Sequence, residues 1–305
     1  MINHLLSIEQ FDVNSIDKLF VKAKQCSQYE HGYFQSFIAT NRIVSTNLFY
    51  EPSTRTSSSF YSAMVKLGGS VIPINDVSFS SVSKGETLED TIRTIGCYCD
   101  VIVIRHPEIG SALRAAKVSN VPIINAGDGI GEHPTQALLD LYTISNHFDM
   151  NKSLKVALCG DLKHGRTVHS LVQLLRLYPN VKIYLVSPDI FKMPEQYVKP
   201  KDHILMDLRD CIAEVDVVYM TRVQKERIKD PYFSSNSCTL TKNIMKNAKE
   251  NMIVMHPLPR VDELSFDIDD DQRAKYFVQV KNGLHIRQAI FLSLFEKQPW
   301  KNWIL

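Results

Sequence analysis

Short apolar runs separated by stretches of helical period constrain this chain more than any other feature. The runs are 42–50, 71–74, 101–104, 121–125, 155–159, 181–186, 203–206, 217–220 and 252–255. They are of strand length, and helix-like stretches lie between most of them. Strands joined through a helix run parallel, because the helix carries the chain back to the edge it started from. The alternation therefore predicts an α/β fold of parallel sheets covered by helices on both faces.

With 305 residues, 44% of them hydrophobic, the chain is long enough for two lobes with separate cores. The polar segment 147–152 follows a helix expected over 134–146, whose first residue, Pro134, suits a helix start. It marks the boundary between the lobes. A second long helix is expected over 276–294, although Gly283 weakens its middle. The net charge of +2 gives no global basic field, so nucleic acid is not an expected partner. Residues 1–10 lack the basic and apolar regions of a secretory signal, and no apolar run reaches membrane-spanning length, so no membrane partner is expected. None of the six cysteines forms a C-x-x-C pair, which argues against a structural zinc site and for reduced thiols in a cytoplasmic protein.

In open α/β sheets ligands bind beyond the carboxyl ends of the strands. In the first half, run 42–50 leads into Glu51-Pro52-Ser53-Thr54-Arg55-Thr56. Phe60, Ala63, Met64 and Leu67 follow at helical spacing. Hydroxyls, backbone N–H groups and a guanidinium thus gather at a helix start, a cradle for a phosphate-sized dianion. Run 101–104 leads into Arg105-His106, and run 121–125 leads to His133-Pro134-Thr135-Gln136. In the second half the strand ends carry Gly160-Asp161-Leu162-Lys163-His164-Gly165-Arg166-Thr167, Thr221-Arg222-Val223-Gln224 and His256-Pro257-Leu258-Pro259-Arg260. Two lobes, each with a polar edge, suggest a cleft that takes phosphate on one side and carboxylates on the other.

Each element alone has a plainer reading. Ser53 to Thr56 serve equally as a helix cap, Arg105 as half of a surface ion pair, and His133 as a helix-terminal hydrogen-bonder. Arg166 and Arg222 serve equally as solvent-facing arginines. Their joint arrival at strand ends is what favours a site. The turn after run 155–159 is not G-x-G-x-x-G, and no G-x-x-x-x-G-K-[ST] occurs, so neither a nicotinamide cofactor nor an ATPase is supported.

These motifs, in this order, resemble the carbamoyltransferase family. Ser53-Thr54-Arg55-Thr56 is similar to its carbamoyl-phosphate signature. Lys84-Gly85-Glu86-Thr87, Arg105-His106-Pro107, His133-Pro134-Thr135-Gln136, Thr221 to Arg227 and His256 to Arg260 are similar to the aspartate-specific catalytic chains, over about residues 40–292. Ornithine-specific relatives have His-Cys-Leu-Pro where this chain has His256-Pro257-Leu258-Pro259. A cationic side chain would also be repelled by Arg166 and Arg222. The intact set Arg55, Arg105, His133, Arg166 and Arg222 argues against an anion-binding or scaffold protein that merely shares the fold.

The resemblance implies a transfer of the carbamoyl group from carbamoyl phosphate to L-aspartate, without cofactor or metal. It implies a carbamoyl-phosphate domain of 1–148 plus 276–305 and an aspartate domain of 149–275, joined by long helices. Ser53, Thr54, Arg55 and Thr56 would hold the phosphate. Arg105 would bridge phosphate and carbonyl oxygen, and Thr56, Arg105 and His133 would polarise that carbonyl. Gln136, with the backbone at Leu258 and Pro259, expected to be joined by a cis peptide, would orient the carbamoyl amino group. Arg166, Arg222, Gln224 and Lys84 would bind aspartate. Ser80 and Lys84 would reach a neighbouring subunit's site, making the active unit a homotrimer, while residues 78–83 taken alone read as a surface loop. Glu51, Arg166 and Arg227 would latch the domains on closure. Some relatives also bind zinc-bearing regulatory chains. Only Asp230 offers an acid where allosteric members carry one, which leaves that partner open.

Overall fold

The computed structural model describes residues 4–28, 37–75, 84–224 and 238–295. Ser80, Arg227 and Asp230 lie outside them. The chain divides into two compact units, Met1–Leu139 with Asn282–Leu305, and Asp140–Lys281. The sequence places its break at the polar segment 147–152. The limits of the two compact units fall inside two helices, Pro134–Ser145 (α6) and Tyr276–Phe295 (α9).

The first unit is built on a four-stranded parallel sheet of β1 Val44–Phe49, β2 Ser70–Ile74, β3 Val101–His106 and β4 Ile123–Asp128, in the order β2-β1-β3-β4. Its helices are α1 Val13–Gln28, α2 Phe37–Asn41, α3 Thr54–Lys66, α4 Leu88–Ile95 and α5 Ser111–Val118, with parts of α6 and α9. Residues Val101 to Ile104 are at most 1% exposed, as a strand covered on both faces requires. One core joins Ile92 of α4 and Ala112, Ala115 and Ala116 of α5 to Ile102, Ile104 and Ile123 of the sheet. The stripe Phe60, Ala63, Met64 and Leu67 is buried along α3 and its exit, and the Phe60 ring meets Phe291 of α9 edge-on at 5.7 Å.

The second unit has a five-stranded parallel sheet of β5 Leu154–Gly160, β6 Val181–Val186, β7 His203–Leu205, β8 Val217–Thr221 and β9 Ile253–Met255, in the order β7-β6-β5-β8-β9. Its helices include α7 Arg166–Leu175 and α8 Lys242–Met245. Ala157, Val218 and Val254 of the sheet pack with Ile212, Met245, Leu264 and Ile268.

All nine expected strands form, β6 with the expected bounds and the others with shifted ends. β1 starts at Val44 because Arg42 closes the turn after α2 with φ 53°. β4 starts after Pro122, which has no N–H to give and instead accepts the Ile102 N–H at 2.9 Å. Gly283 does not interrupt α9. A Cβ there would lie 3.0 Å from Leu139 Cδ2 and 2.8 Å from Arg287 Nη1, so glycine permits close packing rather than a break. Among the described residues no helix is long and apolar enough to cross a membrane.

The N-terminal segment lies along β4. Leu5 N–H donates to Ile123 O and accepts, through its carbonyl, Asn125 N–H, both at 2.8 Å. His4, 4% exposed, accepts the Ile123 N–H on Nδ1 at 3.1 Å, and burial pulls its imidazole down to about 4 from the ordinary 6.5. The unfolded chain thus takes up this proton near 6.5 and the folded chain only near 4. The stability it contributes is present above the upper value and lost as pH falls through that window. Allowing for screening, the loss is roughly 2 kcal/mol. His4→Asn keeps an acceptor and removes the titration. Urea midpoints between pH 7 and pH 4 should decline less steeply for this variant than for the parent chain, and identical slopes would exclude His4 as the source.

Candidate active site

In the first unit the strand-end groups converge at the C-terminal edge of the sheet. β1 runs through Tyr50 and Glu51 to Ser53, the residue before α3. Ser53 makes no side-chain capping bond. Its Oγ instead accepts Arg105 Nη1 at 3.4 Å, and no acid occupies the first turn of α3. Ser53 therefore does not cap α3 through its side chain, and no acid compensates the positive end of that helix dipole. Thr54 and Arg55 are exposed and Thr56 is buried. Ser57 anchors the turn from behind, with its Oγ donating to Asn75 Oδ1 at 2.6 Å and its carbonyl accepting Asn47 Nδ2 at 3.1 Å.

Arg105 sits where the β3–β4 register shifts, an irregularity of the kind that re-aims a side chain. Its Nε donates to Glu51 Oε2 at 3.0 Å. This pairing joins two residues that the sequence assigns to different tasks. His106 packs against Tyr50 with centroids 4.5 Å apart, and burial holds its imidazole below its ordinary value.

His133, 4% exposed, immediately precedes α6, and its carbonyl accepts the N–H of Gln136 at 3.0 Å and of Ala137 at 3.1 Å. The loop before it is pinned at several points. Asp128 accepts Gly110 N–H at 2.9 Å and Glu132 N–H at 2.7 Å. Glu132 accepts the Ser7 hydroxyl at 2.5 Å and Ile8 N–H at 2.9 Å, and burial still raises its carboxyl above the ordinary range. Lys84 is exposed, while its motif partners shape α4. Thr87 caps that helix by accepting Asp90 N–H at 3.1 Å, and Glu86 accepts the Thr91 hydroxyl at 2.7 Å.

In the second unit Arg166 is the first residue of α7 and is 6% exposed. Gly165 gives that helix start no side-chain cap, and again no acid follows. Arg222 and Gln224 follow β8. Arg222 Nη1 donates to Val223 O at 3.3 Å. The fully buried Asp161 ties the two loops together, accepting His164 N–H and Gln224 N–H at 3.0 Å each. Sequence reasoning gives Asp161 no role. The only signal is an acid trapped between a strand-end glycine and a helix. After β9 the Leu258–Pro259 peptide is cis and Leu258 has φ 54°. His256, also without a role in the sequence reading, accepts Leu258 N–H on Nδ1 at 2.8 Å and meets Glu263 through Nε2 at 2.7 Å. Burial disfavours charge on Glu263, but the His256 bond, with help from Val261 N–H, holds its carboxyl below the ordinary range. Arg260 is engaged with Asp269 and Tyr276 and lies over the Phe266 ring at 4.2 Å.

Each unit thus presents arginines and uncapped helix starts along one sheet edge, an arrangement suited to anions rather than to nucleophilic attack by the protein.

The model of the aspartate/ornithine carbamoyltransferase carbamoyl-P binding domain matches residues 3–146, and that of the Asp/Orn binding domain matches residues 152–294. The aspartate carbamoyltransferase catalytic subunit of Archaeoglobus fulgidus is 46% identical, with 95% of this chain and 98% of that protein covered. That of Clostridium acetobutylicum is 44% identical, with 95% and 97% covered. Aspartate transcarbamoylase from Trypanosoma cruzi, solved in complex with carbamoyl phosphate and aspartate, superimposes with a TM-score of 0.88 at 41% identity, covering 95% of this chain and 96% of that one.

Gly160 joins β5 to the Asp161 turn with φ +110°, and a Cβ there would lie 2.3 Å from Thr221 O. Gly85 has a similar φ of +94° but open space around the same point. Gly160→Ala should cost roughly 3–4 kcal/mol in urea unfolding and Gly85→Ala roughly 1 kcal/mol, since only the first adds a clash to backbone strain. Equal losses would mean that the close approach to Thr221 is unimportant.

Proposed function

Because the chain belongs to the aspartate/ornithine carbamoyltransferase family, we propose that it is an aspartate carbamoyltransferase, making N-carbamoyl-L-aspartate and phosphate from carbamoyl phosphate and L-aspartate, an early step of pyrimidine synthesis. The observation that carries the residue assignment is the uncapped start of α3, where Ser53 turns to Arg105 instead of to its own helix.

Carbamoyl phosphate is already activated, so no covalent intermediate is needed. The protein's work is positioning and charge stabilisation. Ser53, Thr54, Arg55 and Thr56 hold the phosphate with the N–H groups of α3. Arg105 spans phosphate and carbonyl oxygen, and Thr56 and His133 complete the oxyanion site. Gln136 and the Leu258 carbonyl, set beside Pro259, receive the carbamoyl amino group. Arg166, Arg222, Gln224 and Lys84 take the two carboxylates of aspartate. The amine lone pair attacks the carbonyl carbon, the bond from that carbon to the phosphate oxygen breaks, and the departing phosphate accepts the amine proton.

Glu51 holds Arg105 in the absence of substrate. Their side chains are 26% and 18% exposed, so the pair contributes about 1 kcal/mol. A phosphate dianion offers several charge-assisted bonds of about 1.5–3 kcal/mol each, enough to take Arg105 from Glu51. Glu51 is then released for the closure role shared with Arg166 and Arg227. None of the six cysteines is in a disulfide, and burial pushes Cys211 up to about 12 and Cys238 up to about 11, so these two thiols are not nucleophiles for the reaction.

The test is carbamoylation of aspartate, measured against ornithine with the same donor. Aspartate should be the preferred acceptor, and Arg105→Ala should lower kcat/KM by about 10³, or about 4 kcal/mol, with little change in melting temperature. Faster turnover of ornithine would overturn the assignment.

The exposed Lys84 supports a second element of the proposal, a site shared between neighbouring subunits of a homotrimer. Lys84→Ala and Arg55→Ala chains, each inactive alone, should recover activity when mixed into trimers, because some sites then carry neither substitution. Verified mixed trimers with no recovery would exclude sharing through Lys84.

A further inference from the structure

Behind the loop after β9 runs a chain of buried polar side chains to which the proposed reaction assigns nothing. Tyr219 of β8 donates its hydroxyl to Asp140 Oδ2 at 2.7 Å. Asp140, fully buried on α6, accepts Gln279 Nε2 on its other oxygen at 2.6 Å. Gln279 of α9 then accepts the backbone N–H of His256 at 2.9 Å. The His256 ring, 0% exposed, completes the chain between Glu263 Oε1 and the Leu258 N–H.

The bond to Leu258 fixes the chemistry of the ring. A backbone N–H only donates, so Nδ1 must present its lone pair, and the neutral ring then carries its proton on Nε2, pointed at Glu263. Leu258 needs such a hold. Its φ of 54° lies in the left-handed region, where the Cβ of a leucine crowds the backbone. A hydrogen bond to a side-chain acceptor from the N–H two residues on is the contact an Asx turn makes, and here it fixes the Pro257–Leu258 peptide plane that leads into the strained residue.

We propose that His256 is a positioning residue for the reaction: locked as the Nε2–H tautomer by Glu263, it holds the Leu258 N–H and so sets the direction in which the Leu258 carbonyl meets the carbamoyl amino group. This rests on the aspartate carbamoyltransferase reading. Gln279 and Asp140 fix the backbone from which the ring projects, and Tyr219 anchors that arm to β8, the strand that delivers Arg222. One buried network therefore supports both the loop that orients the carbamoyl group and the strand that leads to the aspartate-binding side chains.

Two substitutions in the full chain separate positioning from simple structural support. His256→Asn places an acceptor where Nδ1 was, so the hold on Leu258 survives while the reach to Glu263 is lost. His256→Gln places a donor near the old Nε2 and loses the acceptor for Leu258. Both remove the buried ring, so their melting temperatures should fall together. His256→Gln should lose at least tenfold in kcat and raise KM for carbamoyl phosphate several-fold, while His256→Asn stays within about threefold of the parent in both. Equal impairment of the two variants, or activity that simply follows melting temperature, would overturn the proposal. If neither variant folds, Glu263→Gln and Glu263→Leu give the same division. The amide keeps an acceptor for Nε2–H and should retain activity within about threefold, the leucine should not, and equal activities would overturn the proposal. A parent chain that fails to carbamoylate aspartate overturns the reading of function and this inference with it. An active parent whose variants do not divide overturns this inference alone.

Discussion

Parallel pairing is the constraint on which the rest of the structure depends. Every named strand pair in both sheets is parallel, so within each unit all the strands end at one edge. Both faces of such a sheet are covered by helices, and its central strands are buried, including Ser45, Thr46 and Asn47 of β1. The charged and polar groups assigned to chemistry accordingly gather at the last residues of the strands, such as Arg105 of β3, and in the loops that leave that edge. Ser53 to Thr56, Arg105 and His133 come to one edge of the first unit for this reason, and Asp161, Arg166, Arg222 and Leu258 occupy the corresponding edge in the second.

An edge made of loops is precise only if the loops are held. A carboxylate left unpaired in a protein interior costs several kcal/mol, so each buried one marks a place where its partners are fixed. Asp128 and Glu132 take N–H and hydroxyl donors from three separate segments and thereby fix the approach to His133. Asp161 does the same between the β5 and β8 loops, and Glu263 does so through His256 for the loop after β9. The side chains assigned to substrate are thus carried by loops whose backbones answer to buried acids elsewhere in the same unit.

This division explains what was legible in the sequence. Apolar runs are a local signal, and they located every strand of both sheets. Helical spacing of Phe60, Ala63, Met64 and Leu67 located the buried stripe of α3. Motifs at strand ends named the arginines and His133, because strand direction alone brings them to the edge. The partnerships were not legible. Glu51 with Arg105, Ser7 with Glu132 and Asp140 with Gln279 are 54, 125 and 139 residues apart, and only the fold brings them together. Gly283 misled for the related reason that its cost in helix propensity, about 1 kcal/mol, is local, while its benefit is the close approach of Leu139.

The starts of the helices show how stability and function are apportioned. Thr87 and Thr241 cap α4 and α8 with their hydroxyls, and α5, which has no side-chain cap, has the N–H of Gly110 before it taken by Asp128. α3 and α7, which begin beside Arg105 and at Arg166, have neither a side-chain cap nor an acid in the first turn. The omission forgoes about 1 kcal/mol at each helix. Ser53 makes the point most directly, because a residue well suited to capping is present and is used for Arg105 instead. A capped start would satisfy the helix N–H groups before any anion arrived, and an acid there would repel it. Omitting a side-chain cap and an acid costs the fold little and leaves the positive ends of two helix dipoles uncompensated by either, as the proposed anion-binding role requires.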